Sequence, residues 1–319
     1  MNTFSEGISK MYMELPIMLC AVMVLLSASG TMEHQPLVTG VVVRYGEIGR
    51  KVILSCNISA SEQAEWRLNN SQIMETADVI LTENDLTILS ARPTMEGEYS
   101  CHSPETGNTY SRVSLQLGYA PGKPRFRCWS VNYPLNMACF WSLEKPTNIP
   151  TEVKATFSYR REHVKTCSSA DSLQGSCSIE DINLFSTIPY KVTVTAKNLL
   201  GSRSTTKEFI VEKIIKPDPP ANVSLSPIPN QRKKLLLQWK PPATWPNPQL
   251  FLLKYIVKYW QVGSNRHRMI EIINQTNYTL SGLHSRGVYF VQVAAKDFVD
   301  NGHPSEWSPV VSAKLWFKD

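Results

Sequence analysis

Apolar and polar residues alternate along most of this chain after residue 37. The alternation is clear over residues 113–117 (VSLQL), 192–196 (VTVTA) and 291–293 (VQV), and no long segment has the 3.6-residue apolar period of an amphipathic helix. Strand-like runs recur about every 8 to 12 residues between clusters of Pro, Gly and Asn, which is typical of antiparallel sandwiches. We therefore predict an all-β chain.

Two proline-rich segments divide the chain. They are residues 119–124 (YAPGKP) and 214–220 (IIKPDPP), and because proline fixes φ and lacks an N–H donor, such segments act as stiff spacers. We expect one sandwich at residues 31–118, a second at 121–215 and a third at 217–319. Each is about 90 to 100 residues long, the size of a single sandwich domain.

The N-terminus predicts the compartment. Residues 15–26 (LPIMLCAVMVLL) are apolar and the small residues 27–30 (SASG) follow, which is the pattern of a signal peptide over residues 1–30; a buried helix is the alternative. The run is short for a membrane span. The rest of the chain, to its end at Asp319, has neither a longer apolar run nor a hydrophobic tail, so we expect a secreted extracellular protein without direct membrane insertion or lipid anchor.

The charge is mildly basic. Lys and Arg number 33 against 27 Asp and Glu, a formal net charge of +6. The densest basic clusters are Arg160-Arg161, Arg232-Lys233-Lys234 and Arg266-His267-Arg268, which we interpret as solvated loop charge. A nucleic acid is therefore not an expected partner.

Cysteines and glycosylation sequons agree with an oxidising compartment. Cys20 lies in the signal segment, and the six remaining cysteines allow fifteen pairings. The cysteines have neither the C-x2-4-C nor the H-x3-5-H spacing of a zinc site, so we expect no metal. We predict disulfides among Cys56, Cys101, Cys128, Cys139, Cys167 and Cys177. We predict glycosylation at the sequon residues Asn57, Asn69, Asn222, Asn274 and Asn277.

The first piece resembles an immunoglobulin domain. Cys56 is followed by Trp66, and Tyr99 stands two residues before Cys101. In that family two cysteines join the facing sheets, a tryptophan packs on the bridge and the tyrosine hydroxyl ties a corner. The resemblance implies an N-terminal immunoglobulin-like sandwich with a Cys56–Cys101 bridge, although Met95 stands where the family usually has an aspartate.

The second and third pieces resemble the fibronectin type III modules of the class I cytokine receptors. Cys128, Cys139 and Trp141 form a C-x10-C-x-W pattern in the upper module. The lower module has Trp239, a proline-rich loop at 241–248 and residues 289–297 (YFVQVAAKD). We expect bridges Cys128–Cys139 and Cys167–Cys177, each within one module.

The lower module also contains a degenerate form of the family's W-S-x-W-S signature. The matching residues are Ser305, Glu306, Trp307 and Ser308, and Pro304 replaces the first tryptophan. In the family, the tryptophans stack between cationic side chains. This chain should have a shortened ladder of Trp307 with Lys296 or Lys258.

Two kinds of family member share further motifs with the chain. Soluble interleukin-6/interleukin-12-type subunits are similar over residues 121–319, through residues 182–186 (INLFS), 244–248 (TWPNP) and 253–255 (LKY). Lipid-anchored alpha receptors of the family share much of the same sequence, including residues 185–188 (FSTI), and are also similar over the immunoglobulin domain.

The resemblance implies a function in protein recognition. In the family, a four-helix cytokine docks at the elbow between the two fibronectin type III modules, and the complex then engages membrane signalling receptors of the interleukin-6 family type. The elbow positions of this chain are Phe185, Leu184, Trp245, Gln249, Phe298 and Asp300. We expect Phe185 to be the main anchor; its alternative role is core packing, that of Trp245 is hinge packing, and Gln249 and Asp300 are alternatively plain solvated loop.

Two other classes of function were considered. An enzyme is not expected, since residues 118–123 (GYAPGK) fall one residue short of a P-loop and neither H-E-x-x-H nor G-x-S-x-G occurs, so no cofactor is predicted. An adhesive immunoglobulin/fibronectin protein would share the fold. It would have no need of the paired cysteine–tryptophan pattern and the signature remnant.

Overall fold

The computed structural model describes residues 40–56, 58, 63–170, 174–284 and 287–315. The predicted signal segment with Cys20, and the sequon at Asn57, lie outside the described residues. The regular structure of the described part is strand, apart from short 3-10 turns at Pro93–Met95 and Val211–Ile214. The strands form three successive pairs of sheets, which confirms the predicted all-β sandwich architecture. The exact domain boundaries stay predictions.

The first sandwich contains eight strands. A five-stranded sheet in the order β1-β8-β7-β3-β4 faces a three-stranded sheet in the order β2-β6-β5. The strands are β1 (Val41–Glu47), β2 (Val52–Ser55), β3 (Glu65–Leu68), β4 (Ser71–Gln72), β5 (Val79–Leu81), β6 (Asp85–Ile88), β7 (Gly97–His102) and β8 (Thr109–Gly118).

The core of this sandwich has the expected immunoglobulin arrangement. Cys56 is bonded to Cys101, and Trp66 is buried in the same apolar cluster. The Tyr99 hydroxyl donates a 2.8 Å hydrogen bond to the carbonyl of Met95, and burial raises the pKa of Tyr99 to about 12. The Met95 side chain packs against the core, and its backbone carbonyl completes the corner without the aspartate that the family usually has at this position.

The second sandwich, called the upper module, has a three-stranded sheet β13-β10-β9 and a four-stranded sheet β12-β11-β14-β15. Cys128 and Cys139 are directly opposite on two paired strands and are bonded, and Cys167 is bonded to Cys177. The strands are β9 (Arg125–Trp129), β10 (Asn136–Ser142), β11 (Glu152–Tyr159), β12 (Glu162–Ala170), β13 (Gln174–Glu180), β14 (Tyr190–Asn198) and β15 (Gly201–Phe209).

The third sandwich, called the lower module, has the same division into three and four strands. Its sheets are β16-β17-β20 and β19-β18-β21-β22. Alternate residues of β17 and β21 point into the core, as the sequence pattern predicts. The strands are β16 (Ala221–Pro227), β17 (Leu235–Lys240), β18 (Leu253–Gln261), β19 (Arg268–Ile273), β20 (Asn277–Leu280), β21 (Val288–Asp297) and β22 (Val311–Lys314).

Candidate functional site

A buried tyrosine lies at the centre of the joint between the upper and lower modules. Tyr133, from the connection between β9 and β10, is only 4% exposed. Its ring meets Phe251 of the lower module edge to face at 5.6 Å between centroids and lies 6.4 Å from the ring of Trp245. Its hydroxyl donates to Glu212 Oε1 at 3.4 Å, and burial and this carboxylate together raise the pKa of Tyr133 to about 12.

A second contact holds the joint on the side of the linker. The His303 amide donates to the Ile215 carbonyl at 2.7 Å, and the His303 ring meets Trp129 edge to face. Gly302 makes this approach possible, since its φ is +63° and a Cβ there would lie 2.0 Å from the Ile215 oxygen. The two modules are therefore held by contacts on both sides of the joint, and not by the linker alone.

The loop between β13 and β14 presents Phe185 at the edge of this joint. The Phe185 side chain is 80% exposed, so it is not a core residue and the packing alternative does not apply. Its backbone has φ +53°, and its amide donates to Glu212 Oε1 at 2.7 Å, the same oxygen that accepts from Tyr133. Leu184 is half-buried and packs against the core, so it supports the loop.

The structure corrects the role of Trp245. Its side chain is 3% exposed, and Nε1 donates to the Phe251 carbonyl at 2.8 Å. A side chain buried within the joint is not available to a partner, so the prediction of a direct binding role is wrong and hinge packing is what the structure shows. Gln249 is exposed as expected, and the neighbouring Leu250 is 78% exposed.

The loop after β21 reaches the same region. Phe298 is 39% exposed and Val299 65% exposed, and the Phe298 amide donates to the Leu252 carbonyl at 3.2 Å. Tyr133 is close enough to Asp297 for that carboxylate to contribute to its raised pKa. The loop is thus linked to both the lower-module loop and the buried tyrosine.

The structure also corrects the role of Asp300. It is exposed, but it accepts hydrogen bonds from Lys254 at 2.9 Å and Lys296 at 2.6 Å. These two ammonium groups lower the pKa of Asp300 to about 2. This carboxylate is paired with two cations of its own module, so it is neither plain solvated loop nor free for the partner contact that its elbow position predicted. It fixes the loop that carries Phe298 and Val299.

Exposed apolar side chains collect on the loops around Tyr133, and we call this set the elbow patch. Leu135 and Leu250, which sequence reasoning missed, each follow a turn whose first carbonyl belongs to an asparagine three residues earlier. That signal was present in the sequence as an asparagine close to a proline, Asn132 before Pro134 and Asn247 before Pro248. The members of the elbow patch are Leu135, Phe185, Leu250, Phe298 and Val299.

The signature remnant is built into the lower module through its serines. Ser305 and Ser308 are buried, and each both donates from its amide and accepts at Oγ from the backbone of β21, at Ala295 and Val293 respectively. These four bonds lie between 2.7 and 3.0 Å. The segment from Ser305 to Ser308 is therefore hydrogen-bonded along β21, before β22 begins.

The cation–π ladder is short, as expected. Lys258 lies 5.6 Å from the ring centroids of both Trp307 and Trp260. Of the two candidate partners of Trp307, Lys258 is the one found, because Lys296 is bonded to Asp300. Glu306 points the other way, toward the linker, where its ion pair with Lys216 at 2.6 Å lowers the pKa of the Glu306 carboxyl.

The remaining predicted sites are simple to place. Four of the five sequon asparagines lie on the described surface and are exposed: Asn69, Asn222, Asn274 and Asn277. Among the described residues, no group of three or more His, Cys, Asp or Glu side chains is placed to hold a metal ion. Within the same residues, no helix has the length and apolar character needed to cross a membrane.

Comparison with known proteins identifies the family. Residues 124–209 match a family profile described as the IL27B N-terminal FN3 domain, and residues 218–311 match the fibronectin type III domain. The rat ciliary neurotrophic factor receptor subunit alpha is 32% identical over 302 residues, 94% of this chain and 80% of that protein. The chain belongs to the class I cytokine receptor family.

Two further relatives show the range within the family. Human interleukin-27 subunit beta is 39% identical over 197 residues, 60% of this chain and 85% of that protein. The interleukin-11 receptor subunit alpha of Pongo abelii is 29% identical over 289 residues, 84% of this chain and 65% of that protein. Both kinds of member that the motifs indicated are thus similar to this chain, and all three are cytokine or cytokine receptor subunits.

Proposed function

We propose that this chain is a secreted subunit that captures a four-helix cytokine subunit at the elbow patch. The resulting heterodimer is of the interleukin-27/35 type and signals through membrane receptors of the interleukin-6 family type. The observation that carries the proposal is the elbow patch itself: loops from both modules, joined through one buried tyrosine, present Phe185 and four other apolar side chains to solvent.

The elbow patch has the physical character of a prepared binding surface. Apolar side chains that are fully hydrated have much to gain from burial, and aromatic anchors at an interface centre supply a large share of binding energy. Phe185 is held by the Glu212 carboxylate and Asp300 fixes the loop of Val299, so little order remains to be acquired on binding.

A binding role also agrees with the homologues, which are receptor and cytokine subunits rather than enzymes. The apolar run at residues 15–26, followed by small residues, supports secretion of this chain. We infer that the chain acts by holding a helical subunit and presenting a composite surface.

A second function is favoured by one observation. The match to the ciliary neurotrophic factor receptor subunit alpha spans 94% of this chain, whereas 197 residues are too few to include all three sandwiches. As an alpha receptor, this chain would bind a cytokine that is secreted separately, and its immunoglobulin domain would be one of the receptor's three domains.

The experiment that separates these functions is co-secretion. The tagged chain is expressed in secreting cells, and the proteins that copurify from the medium are identified by mass spectrometry. A stoichiometric helical subunit whose co-expression raises secretion of the chain supports the heterodimer. Secretion alone, followed by capture of a helical cytokine added later, indicates the alpha-receptor function. A partner that stays bound to residues 31–118 alone, with no helical protein, contradicts both.

A further inference from the structure

The end of the lower module opposite the elbow collects three connections. Leu235 at the start of β17 is paired with Leu280 at the end of β20, and Gln261 at the end of β18 is paired with Tyr289 near the start of β21. The elbow loops leave these same strands at their other ends. The far end of the module is therefore formed, among the described residues, by 228–234, 262–267, 281–284 and 287.

This end carries most of the positive excess of the chain. The described residues 228–235, 261–270, 280–284 and 287–289 contain five of the 33 Lys and Arg residues and no Asp or Glu. The rest of the chain is nearly balanced, with 28 Lys and Arg against 27 Asp and Glu. Two of the three basic clusters in the sequence thus belong to one end of one module, where no acidic residue in the same segments offsets them.

The described basic side chains at this end are exposed and available. Within the described part of the chain, none of them forms an ion pair with a carboxylate. The Leu283 amide donates to the Lys233 carbonyl, which links the cluster before β17 to the connection after β20. We call this set the basic end: Arg232, Lys233, Lys234, Arg266 and Arg268.

A cleft beside these residues combines cations with aromatic rings. It has a volume of about 250 Å³, and Leu283 is also part of its wall. Arginine binds sulfate and phosphate oxygens through two parallel N–H donors, and it remains charged at every physiological pH. Aromatic faces add apolar contact area next to these donors. The lining that matters here is Tyr259, Trp260, Arg266, Arg268 and His284.

Predicted glycans leave this end clear. Asn222 is adjacent to Ala221, which is paired with Lys240 at the elbow end of β17, and Asn277 is paired with Gln238 on the same side. Asn274 borders a separate pocket with Pro241 and Pro248. The sequons of the lower module therefore lie away from the basic end.

We propose that the basic end binds a sulfated polysaccharide of the heparin type, independently of the elbow patch. With secretion as proposed above, the polyanion that the chain meets is outside the cell, and sulfate groups along a sugar chain match guanidinium groups beside aromatic faces. Because the basic end and the elbow loops lie at opposite ends of the lower module, this ligand and the cytokine bind at the same time. The function is retention of the secreted complex near cell surfaces and matrix.

The test uses the full secreted chain and a heparin decasaccharide in surface plasmon resonance at several NaCl concentrations. The double variant Arg266→Gln/Arg268→Gln should weaken binding at least tenfold at 0.15 M NaCl. It should also flatten the slope of log Kd against log salt by about 1.5, since each ionic contact to a polyanion contributes roughly 0.7 to 0.9. Arg160→Gln/Arg161→Gln removes the same charge from an exposed hairpin of the upper module and should change neither.

Several results would overturn the proposal. Equal losses from the two double variants would show that only net charge matters. Equal binding of desulfated heparin, or tighter binding of poly-U RNA or phosphatidylserine vesicles through the same arginines, would assign another ligand. Arg232→Gln/Lys233→Gln gives a second test if the first variant lowers the thermal midpoint, and unchanged heparin binding by this folded variant would reject the site. Phe185→Ala should bind heparin normally.

Discussion

Replacement of Phe185 by alanine is the sharpest perturbation of the elbow patch. The side chain is 80% exposed, and the loop is held by a backbone hydrogen bond to Glu212 that alanine retains. Exposed substitutions of this kind usually change the free energy of unfolding by less than about 0.5 kcal/mol. We therefore expect Phe185→Ala to be secreted and to melt like the wild type.

The expected loss of binding free energy follows from the area of the Phe185 side chain that is exposed in the free chain and that the partner would bury. A phenylalanine buries about 150–250 Å², and four-fifths of that at roughly 25 cal/mol/Å² gives about 3–5 kcal/mol as an upper bound. Ordering the side chain offsets about 0.5–1.5 kcal/mol, and alanine keeps part of the contact. A loss of about 2 kcal/mol or more, a weakening of roughly thirtyfold, is expected for capture of the helical subunit.

The matched control is Leu199→Ala. Leu199 is 78% exposed and belongs to the β14–β15 turn, at the other end of the upper module. It should leave both the thermal midpoint and the affinity unchanged. If Phe185→Ala melts several degrees early, as a core truncation of about 3–5 kcal/mol would, then Phe185 is a packing residue and not an anchor. Normal binding by Phe185→Ala together with weakened capture by Leu199→Ala would also contradict the anchor role.

Three further outcomes are expected. Glu212→Ala removes the acceptor shared by Tyr133 and the Phe185 amide, so affinity should fall about tenfold by calorimetric titration with little change in secretion. Gly302→Ala introduces a Cβ 2.0 Å from the Ile215 oxygen at φ +63°, which should cost about 1–3 kcal/mol and lower the thermal midpoint by several degrees. The pKa of three buried tyrosines, Tyr99, Tyr133 and Tyr255, is raised from 10.0 to about 12. Their neutral phenols therefore contribute free energy of unfolding that is fully present below pH 10 and is lost as the pH rises through about 12. Circular dichroism against pH should show alkaline unfolding in that window.

The sandwich architecture could be predicted because its signals are local. The alternation of apolar and polar residues along a strand, as in β21, directly indicates which side chains face the core. The pattern of Cys56, Trp66, Tyr99 and Cys101 spans a separation of 45 residues, but its fixed spacing within one domain can be recognised by resemblance to a known family. The alternation needs only neighbouring residues, and the immunoglobulin pattern needs only the family's spacing.

The joint could not be predicted because its contacts are distant in sequence. Tyr133 and Glu212 are 79 residues apart, and Lys254 and Asp300 are 46 apart. The prolines beside Trp245 left hinge packing open as an alternative, but only the fold shows that Tyr133 lies near its ring. The sequence predicted Asp300 as an elbow position or as plain solvated loop, and its pairing with Lys254 on another strand is not visible in a local pattern. Burial at the joint and charge pairing between distant loops and strands are tertiary properties that local patterns do not contain.

The most direct measurement of the central claim is site-specific photocross-linking. A benzophenone amino acid is placed at position 185, at position 199, or at Val42, which is 58% exposed on the first sandwich. The complex secreted with its helical subunit is irradiated, and the adducts are identified by mass spectrometry. The helical subunit should be linked from position 185 and from neither of the other two. A link from position 199 or 42 without one from position 185 would show that the helical subunit does not dock on the elbow patch.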